Sequence, residues 1–220
     1  PLRCAPLESR VESLVMNPIE IIARHYDVAS DAFRILVVHS TLVTRKALEL
    51  ARQFSERHRD AEVDLAFLEE IGLLHDIGII KVHAPDLGCH GDAPYLCHGV
   101  LGREILEREG FPRHALACER HTGSGITREE VEERGLPIPA DRDYLPVTLE
   151  EKILCVADKF YGKKPGHLWR EKSLDAIERQ MRKHGSEVEA RWRALWDEIG
   201  APRGGPSVDS RRVETPPHRD

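Results

Sequence analysis

The sequence predicts an all-α domain, and three observations carry that prediction. Apolar residues recur at spacings of three and four along almost every patterned stretch, strict apolar–polar alternation is absent over any useful length, and capping residues open several of the stretches. A chain of 220 residues has room for one core of ordinary size plus a tail.

A helical pattern begins just past Met16, which can serve as the natural start, so residues 1–17 are expected to be an extension outside the core. The first strong helix covers about 30–56, where Phe33, Leu36, Val37, Leu42, Val43, Ala47, Leu48 and Ala51 form an apolar face with His39 in its middle. The next opens at Asp64, a candidate N-cap, and runs through Leu65, Leu68, Ile71, Leu73 and Leu74 to a break at Gly78, with His75 and Asp76 in its last turn. Pro85, Gly88, Gly91 and Pro94 make 82–94 an irregular loop, long enough for a lid or pocket wall. A helix resumes near Tyr95, carries His98 near its start and stops at Gly110; Pro112 then fits the first turn of a helix ending at His121.

Two capping boxes follow, Thr127 with Glu130 and Thr148 with Glu151, the second opening the helix that holds Asp158. Between them the run from Leu136 to Pro146 is too rich in proline for regular helix. The core domain is therefore expected over 18–165. Leu174, Ile177, Met181, Val188, Trp192, Leu195, Trp196 and Ile199 predict amphipathic helices within 166–200 that pack on the core or a partner, and 201–220 reads as a disordered tail.

Composition narrows the function classes. Hydrophobic residues make up 40% and charged residues 32% of the chain, and no uncharged apolar run approaches the roughly 18 residues of a membrane span, so no membrane partner is expected. A net charge of −6 lacks the basic footprint of a nucleic-acid binder, and any anionic substrate must be held by local charge. The five cysteines form no Cys-x-x-Cys pair, which points to a reducing cytoplasm and away from a disulfide framework. Cys89, His90 and Cys97, with His83 and His98 nearby, match no standard zinc spacing.

The chemistry concentrates in His39, His75, Asp76, His98, His121 and Asp158, distributed over five expected helices. A single histidine on an apolar helix face is ordinarily a hydrogen-bonded core or surface residue, and His25, His58, His114, His167, His184 and His218 are read that way. Four imidazoles and two carboxylates facing one cavity are a different matter: they form a mixed nitrogen and oxygen set sufficient for two metal ions, with Asp76 able to bridge them. A carboxylate directly after the apolar stretch from Ile71 to Leu74 also calls for a neutralising charge.

In order and spacing, His39-Ser40, Leu73-Leu74-His75-Asp76-Ile77-Gly78, His98-Gly99, Glu119-Arg120-His121-Thr122-Gly123 and Ala157-Asp158-Lys159 resemble the HD superfamily of metal-dependent phosphohydrolases, over about residues 30–162. The likeness is to small stand-alone proteins of the His-Asp-Ile-Gly type and, more distantly, to bacterial diadenosine tetraphosphate hydrolases of the superfamily. Ile79-Ile80-Lys81 after the motif, and Gly162-Lys163 after Tyr161, depart from the cyclic-di-GMP phosphodiesterase branch. The resemblance implies a helical bundle in which His39, His75, Asp76 and Asp158 hold one metal while His98 and His121 complete a second with Asp76 shared. It implies two divalent ions, iron or manganese first, with magnesium, cobalt, nickel or zinc as alternatives.

The expected activity is hydrolysis of a phosphate ester or nucleotide, including dinucleoside polyphosphates, by a metal-activated hydroxide, with a small phosphorylated molecule as partner and a second copy of the chain left open. Two alternatives stand beside it: a mixed-valent di-iron oxygenase of the same superfamily and a nucleotide-binding module without turnover. Asp76, Lys81 and Lys159 are the expected catalytic and phosphate-contacting residues, the lysines because each lies within about a helical turn of a proposed ligand. His83, Arg103 and Arg120 are weaker candidates, and the glycine-rich turn Thr122-Gly123-Ser124-Gly125 reads as a helix terminator.

Overall fold

The computed structural model describes residues 16–200, so all but the last two residues of the expected extension over 1–17 and the whole of the tail over 201–220 lie outside the described residues. Nine α-helices are present among them: α1 (Pro18–His25), α2 (Asp31–Arg57), α3 (Leu65–Leu74), α4 (His98–Arg108), α5 (Pro112–Arg120), α6 (Arg128–Arg134), α7 (Leu149–Asp158), α8 (Leu174–His184) and α9 (Ser186–Ile199). Local sequence explains their starts. Ser30 accepts from Phe33 N at the head of α2, Asp64 from Phe67 N at α3, and both expected capping boxes form, at Thr127–Glu130 for α6 and Thr148–Glu151 for α7.

Helix α2 organises the molecule. Its 27 residues extend over about 40 Å, long enough to serve two hydrophobic cores. Val43, Ala47, Leu50, Ala51 and Phe54 on its C-terminal half pack with α3, α7, α8 and α9, including the fully buried Ile177 and Trp192. Ala32, Ile35 and Leu36 on its N-terminal half join α1, α4 and α5 around Leu74, Ile77, Ile105, Leu106 and Cys118. Each buried Leu or Ile contributes about 1.5–3 kcal/mol, so both cores hold their helices firmly. His39 falls at the seam between them.

Two local expectations are corrected. Helix α3 ends at Leu74, and the chain tightens into a 3₁₀ turn over Ile77–Lys81 instead of continuing as α-helix to Gly78. Close packing imposes this: a Cβ on Gly78 would lie 2.0 Å from the His98 carbonyl oxygen and 2.4 Å from Gly102 N, so α4 rests directly on glycine backbone. The buried Tyr26 hydroxyl pins the turn by donating to Ile77 O and accepting from Ile80 N, both at 2.9 Å. The segment 82–94 is also more regular than expected. It folds into an antiparallel ribbon, β1 (His83–Ala84) on β2 (Cys89–His90), around a 3₁₀ turn that Gly88 closes at φ +73°. Such short strands carry no readable alternation.

Candidate metal centre

The six expected ligands converge at the seam of the two cores, and all six are buried. Only His39 lies inside a helix; the others occupy helix ends, which refines the expectation of ligands along five helices. His75 caps α3, Asp76 follows it, His98 opens α4, His121 caps α5 and Asp158 closes α7.

Helix ends leave backbone carbonyls without intrahelical partners, and His75 and His121 use them, while His98 at the head of α4 uses a carbonyl of the preceding 3₁₀ turn. Nδ1 of His75 donates to Gly72 O at 2.8 Å, Nδ1 of His121 to Cys118 O at 2.6 Å and Nδ1 of His98 to Tyr95 O at 2.7 Å, each three residues back. With Nδ1 as the donor, each ring turns Nε2 toward the cluster, as metal-binding histidines require.

The cluster divides into two groups, His39, His75, Asp76 and Asp158, and Asp76, His98 and His121, in each of which one atom per residue lies within 4.8 Å of the others. Asp76 belongs to both and splits its oxygens between them. Oδ2 lies 3.0 Å from His39 Nε2 and 3.1 Å from His75 Nε2, while Oδ1 lies 3.5 Å from His98 Nε2 and 3.4 Å from His121 Nε2. Asp158 Oδ1 closes the first group at 3.1 Å from His39 Nε2.

These residues fit metal ions by their own unmet needs. Both Asp76 oxygens and His75 Nε2 are buried without a well-formed hydrogen bond. His98 Nε2 and His121 Nε2 stand 3.1 Å apart, and with both Nδ1 atoms donating elsewhere, two lone pairs face each other across that gap. A cation in each group would satisfy these atoms.

Electrostatics agree. Burial pushes the Asp76 and Asp158 carboxyls up, yet nearby lysine ammonium groups, Lys163 beside Asp76 and Lys159 with Lys163 beside Asp158, hold both well below the usual range, helped by the imidazoles. Burial works against charge on His75 too, but the two aspartates raise it to about 9. His98 falls to about 3 and His121 is lowered, chiefly by burial, so this pair is neutral and ready to ligate.

Lys159 reaches the site: its Nζ lies 2.5 Å from Asp158 Oδ2 and 3.3 Å from His121 O. Lys81 does not. Its exposed side chain leaves the end of the 3₁₀ turn and lines neither cavity beside the cluster; five residues after Asp76, it stands off that residue's face of the helix. Arg103 is held 2.5 Å from Glu119 and Arg120 3.1 Å from Glu151, so both serve the scaffold.

Lys163, which the sequence reading passed over, places Nζ 2.6 Å from Asp76 Oδ2. The available signal was Gly162-Lys163-Lys164, two lysines in the turn directly after the helix that ends in Asp158. Glu119 was likewise given no role. It is buried and clamped by Arg103 from α4 and by Arg142 at 2.6 Å from the proline-rich segment. The set-aside histidines serve elsewhere, His25 on Glu109 and His114 on Glu70, and His218 lies outside the described residues. Cys89 and Cys97 turn to backbone carbonyls of Leu87 and Pro137 and enter no metal-binding group among the described residues.

Two cavities open beside the cluster. One, of about 490 Å³, reaches Asp158 and is lined by Lys159, Lys163, Lys164 and Lys172. The other, of about 300 Å³, reaches His98 between Leu96, Ile126, Leu136, Met181 and Val188. Tyr95, Lys159 and Gln180 border both.

Among known proteins, the chain is 44% identical over 124 residues to the uncharacterized protein MJ0778 of Methanocaldococcus jannaschii, covering 56% of this chain and 64% of that one. It is 42% identical over 87 residues to a tRNA (cytidine(56)-2'-O)-methyltransferase of Picrophilus torridus, 39% of this chain and 21% of that one. It is also 32% identical over 158 residues to the protein of that name from Thermoplasma volcanium, 68% of this chain and 40% of that one. The chain thus spans less than two thirds of each of these relatives. No solved structure matches it. The HD domain family matches residues 36–162, which include all six residues of the buried His and Asp cluster and more than half of the sequence; the chain belongs to the HD domain family.

Proposed function

We propose that this protein is a metal-dependent phosphohydrolase acting on a small phosphate ester or nucleotide. One observation carries the reading: two ligand groups share the buried Asp76, and Asp158 of the first group lines a cavity walled by lysines. Divalent ions held there would supply an activated water and polarise a phosphoryl oxygen. His39, His75, Asp76 and Asp158 would hold one ion, and Asp76, His98 and His121 the other. The backbone carbonyls behind three of the histidines keep their rings from turning.

Lys159 and Lys163 offset the aspartates and draw an anion toward the cluster despite the acidic chain. The cavities suit a small molecule, and with a net charge of −6 a nucleic-acid polymer is not the proposed partner. The two methyltransferases share only a segment with this chain, and their named activity does not enter the proposal. No helix among the described residues is long and apolar enough to cross a membrane.

The test is phosphate release by the anaerobically purified protein, loaded with Mn²⁺ or Fe²⁺, across nucleotides, dinucleoside polyphosphates and sugar phosphates, with and without oxygen. Oxygen-independent turnover lost in Asp76→Asn supports the reading. Silence across the panel, with oxygen uptake on organophosphonates or polyols, moves the assignment to a di-iron oxygenase, and tight nucleotide binding without turnover to a regulatory module.

A further inference from the structure

Four lysines line the larger cavity against two carboxylates, and they are not equivalent. Lys159 and Lys163 are paired with the aspartates of the cluster. Lys164 and Lys172 form no ion pair among the described residues; Lys172 Nζ has only a 3.4 Å hydrogen bond to Gln180 Oε1. Its backbone is fixed by a 2.8 Å bond from Lys172 N to Phe160 O, and its ammonium crosses the open face of Gly162, about 4 Å from where a Cβ would stand. Burial and the like charges of Lys159 and Lys163 depress its pKa, against the pull of Asp158. Four cations against two carboxylates in one concavity leave an excess of positive charge that an entering anion offsets.

The second cavity adds direction. It meets the first at Tyr95, Lys159 and Gln180, and its apolar walls accept a ring where the first accepts charge. A ligand crossing the shared border would pass the cluster, since Asp158 lines one cavity and His98 the other.

We propose that Lys164 and Lys172 form a subsite for a second phosphate, one removed from the phosphate at the metal cluster, so that the substrate class is a compound with at least two linked phosphates and an apolar or aromatic group. Its placement relative to the cluster rests on the phosphohydrolase reading. The subsite itself is built from lysines that ligate nothing, and it binds without metal.

The experiment is calorimetric titration of the full chain in chelator with inorganic phosphate and inorganic pyrophosphate. Pyrophosphate is expected to bind at least about tenfold more tightly, as one added charge-assisted contact provides. Lys172→Met and Lys164→Met, which keep the apolar stems, should each remove most of that preference and leave the unfolding midpoint unchanged, while Lys172→Arg restores it. Equal affinity for the two anions, or an undiminished preference in both methionine variants, overturns the proposal. The two readings fail separately. A metal-loaded protein inert on every phosphate compound but retaining the pyrophosphate preference loses the hydrolase and keeps the subsite. Turnover with equal kcat/KM on nucleoside mono- and diphosphates, unmoved by Lys172→Met, keeps the hydrolase and removes the subsite.

Discussion

Asp76→Asn isolates the shared carboxylate. The substitution preserves shape and removes the charge that faces both ligand groups. Because Asp76 Oδ2 serves one group and Oδ1 the other, both metal affinities fall together. An ion supplied at one hundred times its dissociation constant stabilises the folded state by about 2.7 kcal/mol, so two sites contribute about 5 kcal/mol. At about 2–4 °C per kcal/mol for a chain of this size, saturating Mn²⁺ should raise the wild-type unfolding midpoint by about 10–20 °C. In Asp76→Asn the rise should vanish. The metal-free midpoint should move by much less, because Lys163 lines an open cavity and still has Asp158 at 4.0 Å, and the buried His75, whose proton Asp76 helps to hold, can release it and become neutral. Differential scanning fluorimetry against metal concentration, with elemental analysis of the dialysed protein, reads both quantities. A variant that keeps two ions per chain and the full thermal rise would refute the assignment of Asp76 as the shared ligand.

His98→Ala should leave one ion per chain, because His98 enters only one of the two groups, and elemental analysis showing two or none would contradict the division. Glu119→Ala should cost about 1–3 kcal/mol in urea unfolding: it strands Arg103 and Arg142, whose side chains are 26% and 34% exposed and can partly resolvate. An unchanged midpoint there would mean the clamp holds nothing. The pH dependence of stability should show Glu109, whose carboxyl burial pushes up but which bonds to His25 and Arg24 hold below its ordinary 4.5. A depressed carboxyl stabilises fully above its unfolded pKa and loses that contribution as pH falls through the folded one. The urea midpoint of the wild type should therefore exceed that of Glu109→Gln at pH 6, and the gap should shrink as pH falls below 4.5 through the depressed folded pKa; a gap independent of pH would exclude the charge as its source.

Much of the molecule was legible in the amino-acid order because its signals are local. Spacings of three and four marked the helices, Asp64 and the two Thr–Glu boxes marked their starts, and the ordered His and Asp residues marked the centre. What escaped depended on distant contacts. Gly78 looked like a helix breaker and proved to be the flat surface on which α4 rests, and that same packing tightened the turn. Lys163 carried no periodic signal, since a lysine in a turn is ordinarily solvated; only the path of the chain after α7 carries it back to Asp76. Glu119 resembled any acidic residue of a helix until Arg103 and Arg142 closed on it from elements 16 and 23 residues away.

By itself, then, the sequence determined the helical architecture and the ligand chemistry, because periodicity, capping and side-chain type are properties of neighbouring residues. Tertiary structure alone decided that Asp76 divides its oxygens between two groups, that helix-end carbonyls aim the imidazoles and that four lysines share one cavity, because each is a distance between segments far apart in the chain.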